Sequence, residues 1–362
     1  MKDSYLTAGI RFTSLVRLLS RNHVDWNPVY ISRILFLLQS SFWSSLFFRL
    51  ESARFKQALE DSPLSSDPVF IVGHWRTGST MLHQMMALDP ELVAPTLFQV
   101  ALPENFLVSY RFYQPIFNMM MGASRPMDNV KIGMDEPQED EYAMFRLTSF
   151  SPLEQLIFPS KSEYFLRDAE FIPDDKSVDQ WEKSLMEFYK KIQFVSHKRI
   201  VSKNPFNSMR VPLLAKLFPE ARFIHIVRHP FAVVPSTRHL WSILQKQNVL
   251  NRNSYTPTID EISCFFSQMT NTLWHDLSLM PEERSVEVRH EDIEQDPVGS
   301  LRLVYKKIDL PFTDRFENQL NGFISSNTDF KKNVFVLADE EKRVIAKTMR
   351  IYMDRYGYKE IV

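Results

Sequence analysis

The chain has 362 residues, of which 44% are hydrophobic, 24% charged and 13% aromatic. This length and composition suit one large α/β domain with a substantial core, and they exclude a disordered or fibrous protein. The formal net charge of −1 argues against nucleic acid as a partner. The single cysteine, Cys264, excludes an internal disulfide framework and a cysteine-based metal site.

Residues 1–66 are predicted to form a helical N-terminal extension. Helical periodicity fills residues 5–60, and a polar stretch with two prolines, 61–68, ends it. The start of the chain lacks the basic, apolar and cleavage-site pattern of a signal peptide, so we expect a cytoplasmic protein.

The apolar stretch Ile34–Phe48 lies within this extension. It spans about 15 residues, fewer than the about 20 that cross a bilayer. Serines recur along it at helical spacing and give it a polar face, at Ser40, Ser41, Ser44 and Ser45. Two interpretations stay open. The helix packs on the domain, or it makes peripheral contact with the inner face of a membrane, helped by Arg11, Arg17, Arg21, Arg33, Arg49 and Arg54.

Residues 67–362 are predicted to form the main α/β domain. Short β-branched runs that are typical of buried parallel strands occur at Val69–Val72, 199–202, 222–227 and 285–289. Helical patterns separate them, at 178–195, 206–217 and 259–279. This alternation predicts a central parallel sheet with helices on both faces. Residues 90–195 interrupt the alternation and are predicted to be a helical insertion that covers the active face and forms the acceptor site.

The segment after the first strand reads Gly73-His-Trp-Arg-Thr-Gly78-Ser-Thr80 and opens a helical run. In this G-x-x-x-x-G spacing, backbone N–H groups wrap a phosphate at a helix N-terminus. Ser79 stands where a Walker lysine would be, and Arg76 lies inside the loop instead. The loop therefore predicts a phosphate-like ligand and disfavours an NTPase that binds ATP with Mg²⁺.

A second phosphate contact is predicted after the strand at 222–227. Arg228 ends this strand, at the position where ligands bind in open α/β sheets, and Ser236 follows shortly after. A guanidinium with a hydroxyl nearby can bind a separate phosphate, whereas a surface ion pair is the alternative for an isolated arginine. A further basic motif, Lys203-Asn-Pro-Phe206, follows the strand at 199–202.

Together these motifs resemble the sulfotransferases that use 3′-phosphoadenosine 5′-phosphosulfate. Arg76-Thr-Gly-Ser-Thr80 resembles their 5′-phosphosulfate loop, usually written R-[ST]-G-T-T, and Arg228 with Ser236 resembles their 3′-phosphate site. Lys203-Asn-Pro-Phe206 is similar to the K-x-P segment of the branch that includes the tyrosylprotein sulfotransferases. A basic segment near the C-terminus of these enzymes resembles Phe330-Lys331-Lys332-Asn333.

The resemblance covers residues 68–310 and implies a three-layer, P-loop-like α/β fold without a metal. The implied reaction moves a sulfuryl group from 3′-phosphoadenosine 5′-phosphosulfate to an acceptor hydroxyl. Lys203 is implied to neutralise the leaving 5′-phosphate. The donor-binding residues implied are Arg76, Thr77, Gly78, Ser79, Thr80, Arg228, Ser236, Lys331 and Lys332.

The chain departs from the family at the residue that accepts the acceptor's proton. The tyrosylprotein branch has a glutamate where this chain has Gln99, which cannot accept a proton at neutral pH. We predict the general base in the acidic stretch 135–141, with Glu139 as first choice and Glu141 as second, because similar stretches occur in the bacterial sulfotransferases. An N-terminal helix turn is the alternative interpretation of these acids.

Two histidines near the loop, His74 and His83, are rival candidates for the base. His74 precedes the loop arginine, and His83 lies one turn into the helix that follows. Burial as structural residues is the alternative for both.

Aromatic and methionine side chains fill residues 97–121. They either pack in the core or line an adaptable apolar pocket, and the second interpretation favours a small hydrophobic alcohol, a sterol or lipid alcohol, as acceptor. Two other functions stay open at this point, a P-loop nucleotide kinase and a non-catalytic, membrane-associated nucleotide-binding module.

Overall fold

A five-stranded parallel sheet with helices on both faces organises the chain. This architecture confirms the predicted three-layer α/β fold. A computed structural model describes residues 6–25, 27–120, 133–149, 151–159, 175–326 and 335–360.

The strands of the sheet run in the order β2-β3-β1-β4-β5. They are β1 (Val69–Val72), β2 (Leu92–Val93), β3 (Arg199–Lys203), β4 (Arg222–Val227) and β5 (Ser285–Arg289). The four β-branched runs predicted from the sequence are β1, β3, β4 and β5. The edge strand β2 was not predicted, because two residues are too few to show a strand pattern.

The helices fall into groups set by the strands. The N-terminal extension holds α1 (Phe12–Ser20) and α2 (Pro28–Asp61). Between β1 and β3 lie α3 (Ser79–Met86), α4 (Leu97–Ala101), α5 (Phe106–Met120), α6 (Glu141–Thr148) and α7 (Asp175–Ser196). Between β3 and β5 lie α8 (Val211–Leu217), α9 (Pro230–Asn248) and α10 (Ile259–Ser278). After β5 come α11 (His290–Gln295), α12 (Pro297–Lys307), α13 (Asp314–Ser326), α14 (Asp339–Thr348) and α15 (Arg350–Tyr356).

The helix predicted over 206–217 is divided in two. A 3₁₀ turn covers Pro205–Met209, and α8 begins only at Val211. Pro212 explains the break: inside a continuous helix its ring would clash with the carbonyl of Ser208 and leave that carbonyl without a donor, whereas the first turn of α8 tolerates a proline.

Both faces of the sheet are buried by helices. On one face Phe70 and Phe223 stack at 5.5 Å and pack against Tyr189 of α7. On the other face Ile71 and Ile224 pack against α3, α12 and α13. The region predicted as an insertion, 90–195, therefore supplies β2 and α7 to the layered fold itself.

The serine face of α2 attaches the N-terminal extension to the protein. Ser40 Oγ accepts a hydrogen bond from the Gly9 N–H (3.0 Å), and Ser44 Oγ donates one to the Gly9 carbonyl (2.6 Å). Asn105, next to α5, donates to Ser44 Oγ at 2.9 Å. The whole helix α2 is longer than this apolar stretch, and by length and composition alone it could cross a membrane. The hydrogen bonds show that one face of this helix is packed on the domain.

Ion pairs also connect the extension to the domain. Lys191 of α7 pairs with Glu51 of α2, and Arg11 pairs with Glu104 at 2.7 Å. Burial raises the pKa of Glu104 to about 7, although the positive charges of Arg11 and Lys191 oppose this shift. Glu104 is therefore a carboxyl that changes charge near neutral pH.

We expect Glu104 to make stability depend on pH. Between pH 4.5, where the unfolded carboxyl titrates, and about 7, the folded protein keeps a proton that the unfolded chain has lost. The contribution of this group to the free energy of unfolding therefore falls as pH rises through that window. Urea unfolding at several pH values should show a flatter pH dependence for Glu104→Gln than for the wild type.

The exposed carboxyl of Glu340 provides the control, since Glu340→Gln should leave the pH dependence unchanged. Equal slopes for Glu104→Gln and the wild type would contradict the assignment.

Candidate active site

The carboxyl ends of three neighbouring strands bring the predicted motifs together. The register sets Ile71 of β1 opposite Lys203 of β3 and Ile224 of β4. The glycine loop follows β1, and Arg228 follows β4. The strands β2 and β3 lie on one side of β1, whereas β4 and β5 lie on the other. Such a reversal of strand order at the carboxyl edge is where open α/β sheets bind ligands.

Close backbone approaches shape the loop after β1. Gly73 and Gly78 have φ values of +131° and +94°. A methyl group at Gly78 would lie 2.2 Å from Nδ1 of His290, and one at Gly73 would lie 2.6 Å from the Ile226 carbonyl oxygen. The Gly73 N–H also donates to Ser208 Oγ at 2.8 Å. Only glycine allows both approaches and both backbone angles.

The loop ends at the N-terminus of α3. Gly78 is the N-cap residue and has no side chain to cap the helix, so the first-turn N–H groups at Ser79 and Thr80 face the loop. These amides and the helix dipole together favour a bound anion. Thr77 is fully buried, and its hydroxyl donates to the His74 carbonyl at 2.8 Å. The side chain of Thr77 therefore holds the loop in shape.

The two predicted phosphate contacts form one continuous group. Arg76 Nε donates to Ser236 Oγ at 2.8 Å, and Arg228 donates from Nη1 to the Arg76 carbonyl at 3.1 Å. Burial lowers the pKa of Arg228, and the nearby charge of Arg76 adds to this effect, while Glu294 and Glu291 oppose it. Two arginines and a serine that are far apart in sequence thus meet beside the loop.

The acidic segment runs beside the residues that lead into α4. The Leu97 N–H donates to the Glu136 carbonyl (2.9 Å), and the Gln138 N–H donates to the Pro95 carbonyl (2.8 Å). Glu139 comes next, and its carboxylate forms an ion pair with the Lys203 ammonium. The Lys203 side chain is only 3% exposed and that of Glu139 is 15% exposed. The first-choice base and the predicted leaving-group lysine are therefore in direct contact.

Glu141, the second candidate base, is held by buried partners. Its side chain is fully buried and forms an ion pair with Arg210 at 2.6 Å. It also accepts hydrogen bonds from Asn204 (2.8 Å) and Ser151 (2.6 Å). A carboxylate with these partners holds the segment in place, so its surroundings favour Glu139 over Glu141 as the candidate base.

The two histidines are also buried. His74 is 2% exposed and stacks on Phe266 at 4.3 Å, and burial lowers its pKa to about 3. Nε2 of His83 lies 3.1 Å from the Val201 carbonyl, and burial, with the charge of Lys203, lowers its pKa to about 3. A general base that works near neutral pH has a pKa closer to 7. Their burial and lowered pKa values favour the alternative interpretation, in which His74 and His83 are structural residues.

The remaining residues singled out in the sequence lie in a helix cap, in the core, at the surface or outside the described residues. Gln99 forms a capping box with Thr96 at the start of α4, so its amide has a local structural role. Phe98 and Phe106 are buried in the core, whereas Phe112 is exposed. The predicted donor residues Lys331 and Lys332, and Met121 of the predicted acceptor region, lie outside the described residues.

Sequence reasoning missed residues that hold the site from a distance. The Tyr352 hydroxyl, from α15, bonds to both the N–H and the carbonyl of Arg228 at 3.1 Å each. Asp140 accepts hydrogen bonds from Ser202 (2.6 Å) and Asn204 (2.8 Å), the two neighbours of Lys203. No local motif marks Tyr352, and the acidic stretch that contains Asp140 does not show which of its carboxylates binds the neighbours of Lys203, because these partners lie on other elements.

Comparison with known proteins identifies the class. Residues 68–314 match the profile of the Sulfotransferase family, and the chain belongs to this family. It is therefore a sulfotransferase enzyme, as the sequence motifs predicted.

Individual relatives agree with this assignment. Omega-hydroxy-beta-dihydromenaquinone-9 sulfotransferase Stf3 of Mycobacterium tuberculosis (strain CDC 1551 / Oshkosh) is 29% identical, over 98% of this chain and 91% of that protein. The crystal structure of sulfotransferase STF9 from Mycobacterium avium has a TM-score of 0.67 at 15% identity and covers 97% of each chain. That of STF1 from Mycobacterium tuberculosis H37Rv has a TM-score of 0.63 at 15% identity, over 93% and 92%. These two structures share the fold.

We expect Arg210→Ala to destabilise the protein by about 3–5 kcal/mol, because it leaves Glu141 buried without its ion-pair partner. Urea unfolding measures this loss. Lys216→Ala is a matched control, since Lys216 pairs with Glu182 at the surface and its side chain is 71% exposed. Its removal should cost less than about 1 kcal/mol. A similar small loss for Arg210→Ala would show that the buried pair does not anchor the segment.

Proposed function

We propose that the enzyme transfers a sulfuryl group from 3′-phosphoadenosine 5′-phosphosulfate to the hydroxyl of a lipid alcohol. The observation that carries this proposal is the Lys203–Glu139 ion pair at the carboxyl end of β3, on the strand next to the β1 loop. It provides an acid-base pair beside an anion-binding loop.

The residues at the loop fit the two phosphates of this donor. Arg76 and the first-turn amides of α3 would hold the 5′-phosphosulfate, and Arg228 with Ser236 would hold the 3′-phosphate. Ser236 Oγ accepts from Arg76 Nε, so its own hydrogen can be donated to a phosphate oxygen. The donor, when bound, supplies an activated sulfuryl group with a phosphate as leaving group.

Lys203 and Glu139 would divide the chemistry. The acceptor oxygen forms a bond to sulfur while the bond from sulfur to the 5′-phosphate oxygen breaks. Glu139 accepts the proton of the acceptor hydroxyl, and the Lys203 ammonium stabilises the negative charge that grows on the leaving oxygen. Positioning and electrostatics dominate such transfers, as they do in phosphoryl transfer. The contact between the two side chains orients both before reaction.

A lipid alcohol is the acceptor class that we favour. The relative that matches nearly the whole chain is named for sulfation of a hydroxylated menaquinone. The aromatic helix α5 of this chain presents Phe112 to the surface beside α2, and its Tyr110 hydroxyl reaches Asp135 of the acidic segment. Turnover of the sulfate donor with a panel of lipid alcohols tests this acceptor class directly.

We propose a cytoplasmic location, because the single cysteine is exposed and such a thiol suits a reducing compartment.

The 3′-phosphate assignment predicts a nucleotide preference. Adenosine 3′,5′-bisphosphate should bind better than AMP, and Arg228→Gln should reduce this preference by about tenfold to a hundredfold, the value of a charge-assisted contact. Calorimetry with both nucleotides measures the ratio. A general disturbance of the loop would weaken both nucleotides alike and leave the ratio unchanged, which would refute the assignment. Arg238→Gln, at an exposed arginine of α9, is the matched control.

The division of roles predicts two different kinetic defects. Lys203→Ala should lower kcat by about 10²–10³ with little change in donor affinity, because charge builds on the leaving oxygen only in the transition state. Glu139→Gln should lower the rate by about 10²–10⁴ with binding retained, because it keeps the shape of the side chain and removes the base.

Glu136→Gln, in the same segment, is the control and should remain active. If Glu139→Gln turns over at the rate of the parent enzyme, the base is misassigned while the enzyme class stands.

A further inference from the structure

An apolar surface remains exposed on the N-terminal extension. It consists of Leu35, Phe42, Trp43, Leu46 and Leu50 of α2 with Phe112 of α5, and we call these six residues the apolar face. Each of them is between 39% and 62% exposed. Single exposed apolar residues are ordinary, but a continuous group of this kind on adjacent helices marks an interaction site.

Helical geometry places this group on one side of α2. At 3.6 residues per turn, Leu35, Phe42, Leu46 and Leu50 line one stripe of the helix. The buried residues Ser41 and Ser44 lie on the opposite side. One side of α2 is therefore bound to the protein, and the other side is apolar and open. A helix attached in this way lies along a surface and does not cross a bilayer.

The apolar face continues onto the insertion. The rings of Trp43 and Phe112 are 6.1 Å apart, and Phe47 contacts both Phe112 (5.1 Å) and Tyr113 (5.7 Å). From the same helix α5, Tyr110 donates to the Asp135 carboxylate at 3.1 Å. Asp135 belongs to the segment that ends at Glu139. The apolar face thus connects, through one helix, with the segment that carries the proposed base.

Arginines flank the apolar face. Between residues 11 and 49 the chain has five arginines and one acidic residue, Asp25; Arg11 and Arg21 pair with Glu104 and Glu154, which lie outside this range. Arg49 and Arg54 are exposed, and the helical period sets them on the two edges of the apolar stripe. Arginines beside an apolar stripe are the arrangement by which amphipathic helices bind anionic lipid.

We infer that the apolar face docks on an anionic lipid bilayer, with α2 lying in the interface. A second copy of the chain fits less well, because a two-fold dimer through this face would bring the flanking arginines of both copies together. Anionic headgroups neutralise the same arginines. The docking places α5 at the membrane, so that a lipid acceptor enters along it; this last step rests on the proposed function.

Vesicle flotation of the full chain tests the inference. We expect binding to phosphatidylglycerol-containing vesicles that weakens with salt, and little binding to phosphatidylcholine vesicles. The triple variant Leu35→Ser, Phe42→Ser, Leu46→Ser should bind at least about tenfold less, because it removes apolar side chains that would be buried among the acyl chains. The double variant Arg49→Gln, Arg54→Gln should reduce the salt-sensitive part of the binding to phosphatidylglycerol-containing vesicles.

A matched triple variant controls for general loss of exposed apolar side chains. Leu279→Ser, Leu303→Ser and Ile351→Ser change residues that are 69% to 72% exposed elsewhere on the protein, and this variant should float like the wild type. Thermal unfolding and binding of adenosine 3′,5′-bisphosphate should be the same for all variants. Normal nucleotide binding without flotation then shows that docking alone is lost.

Several results would overturn the inference. These are a wild-type protein that stays unbound, equal binding to both kinds of vesicle, or equal losses in the two triple variants. A dimer in sedimentation velocity that the first triple variant dissociates would also overturn it, since the apolar face would then bind a second copy. Flotation as expected without any sulfation of alcohols would support docking and count against the proposed function alone.

Discussion

Two adjacent buried carboxylates, Asp140 and Glu141, hold the acidic segment 135–141 against the carboxyl end of β3. Asp140 binds Ser202 and Asn204, which flank Lys203, and Glu141 pairs with Arg210. Burial raises the pKa of Asp140, while its hydrogen-bond donors oppose that shift, so the group depends on these donors to remain ionised. Because both carboxylates are fixed in this way, the preceding residue is held beside Lys203. The catalytic contact that we propose thus depends on residues with no part in the chemistry.

The cationic side of the site depends on a different constraint, the close approach of the β1 loop to its neighbours. Gly73 lies against the β4 backbone and Gly78 against the His290 ring at the start of α11. This packing sets Arg76 in a left-handed conformation, φ +67°, and its side chain meets Ser236 of α9. Arg228 then donates a hydrogen bond to the Arg76 carbonyl. The two predicted phosphate contacts therefore support one another.

The N-terminal extension has two different sides, one packed on the protein and one exposed beside α5. The serine side of α2 binds the protein, Glu51 of α2 pairs with Lys191 of α7, and Arg11, the N-cap residue of α1, pairs with Glu104. The opposite side of α2 exposes the apolar face that we assign to the membrane. A transferase whose acceptor is a lipid must take it from a bilayer, because an apolar chain is not stable in water. The same helix would thus serve folding on one side and substrate supply on the other.

The sequence alone determined the three-layer fold, four of the five strands of the described sheet, the position of the glycine loop after β1 and the sulfotransferase class. These depend on short-range signals: β-branched runs, the positions of scarce glycines, and a motif at each strand end. Only the tertiary structure distinguishes the surroundings of Glu139 from those of Glu141 and the histidines, and so favours Glu139 as the proposed base. Three consecutive acids look alike in a sequence, because what distinguishes them is the partner that each one meets. Lys203 and Arg210 come from β3 and the turn that follows it, far from the acids along the chain, so burial and charge at each carboxylate are properties of the packed fold.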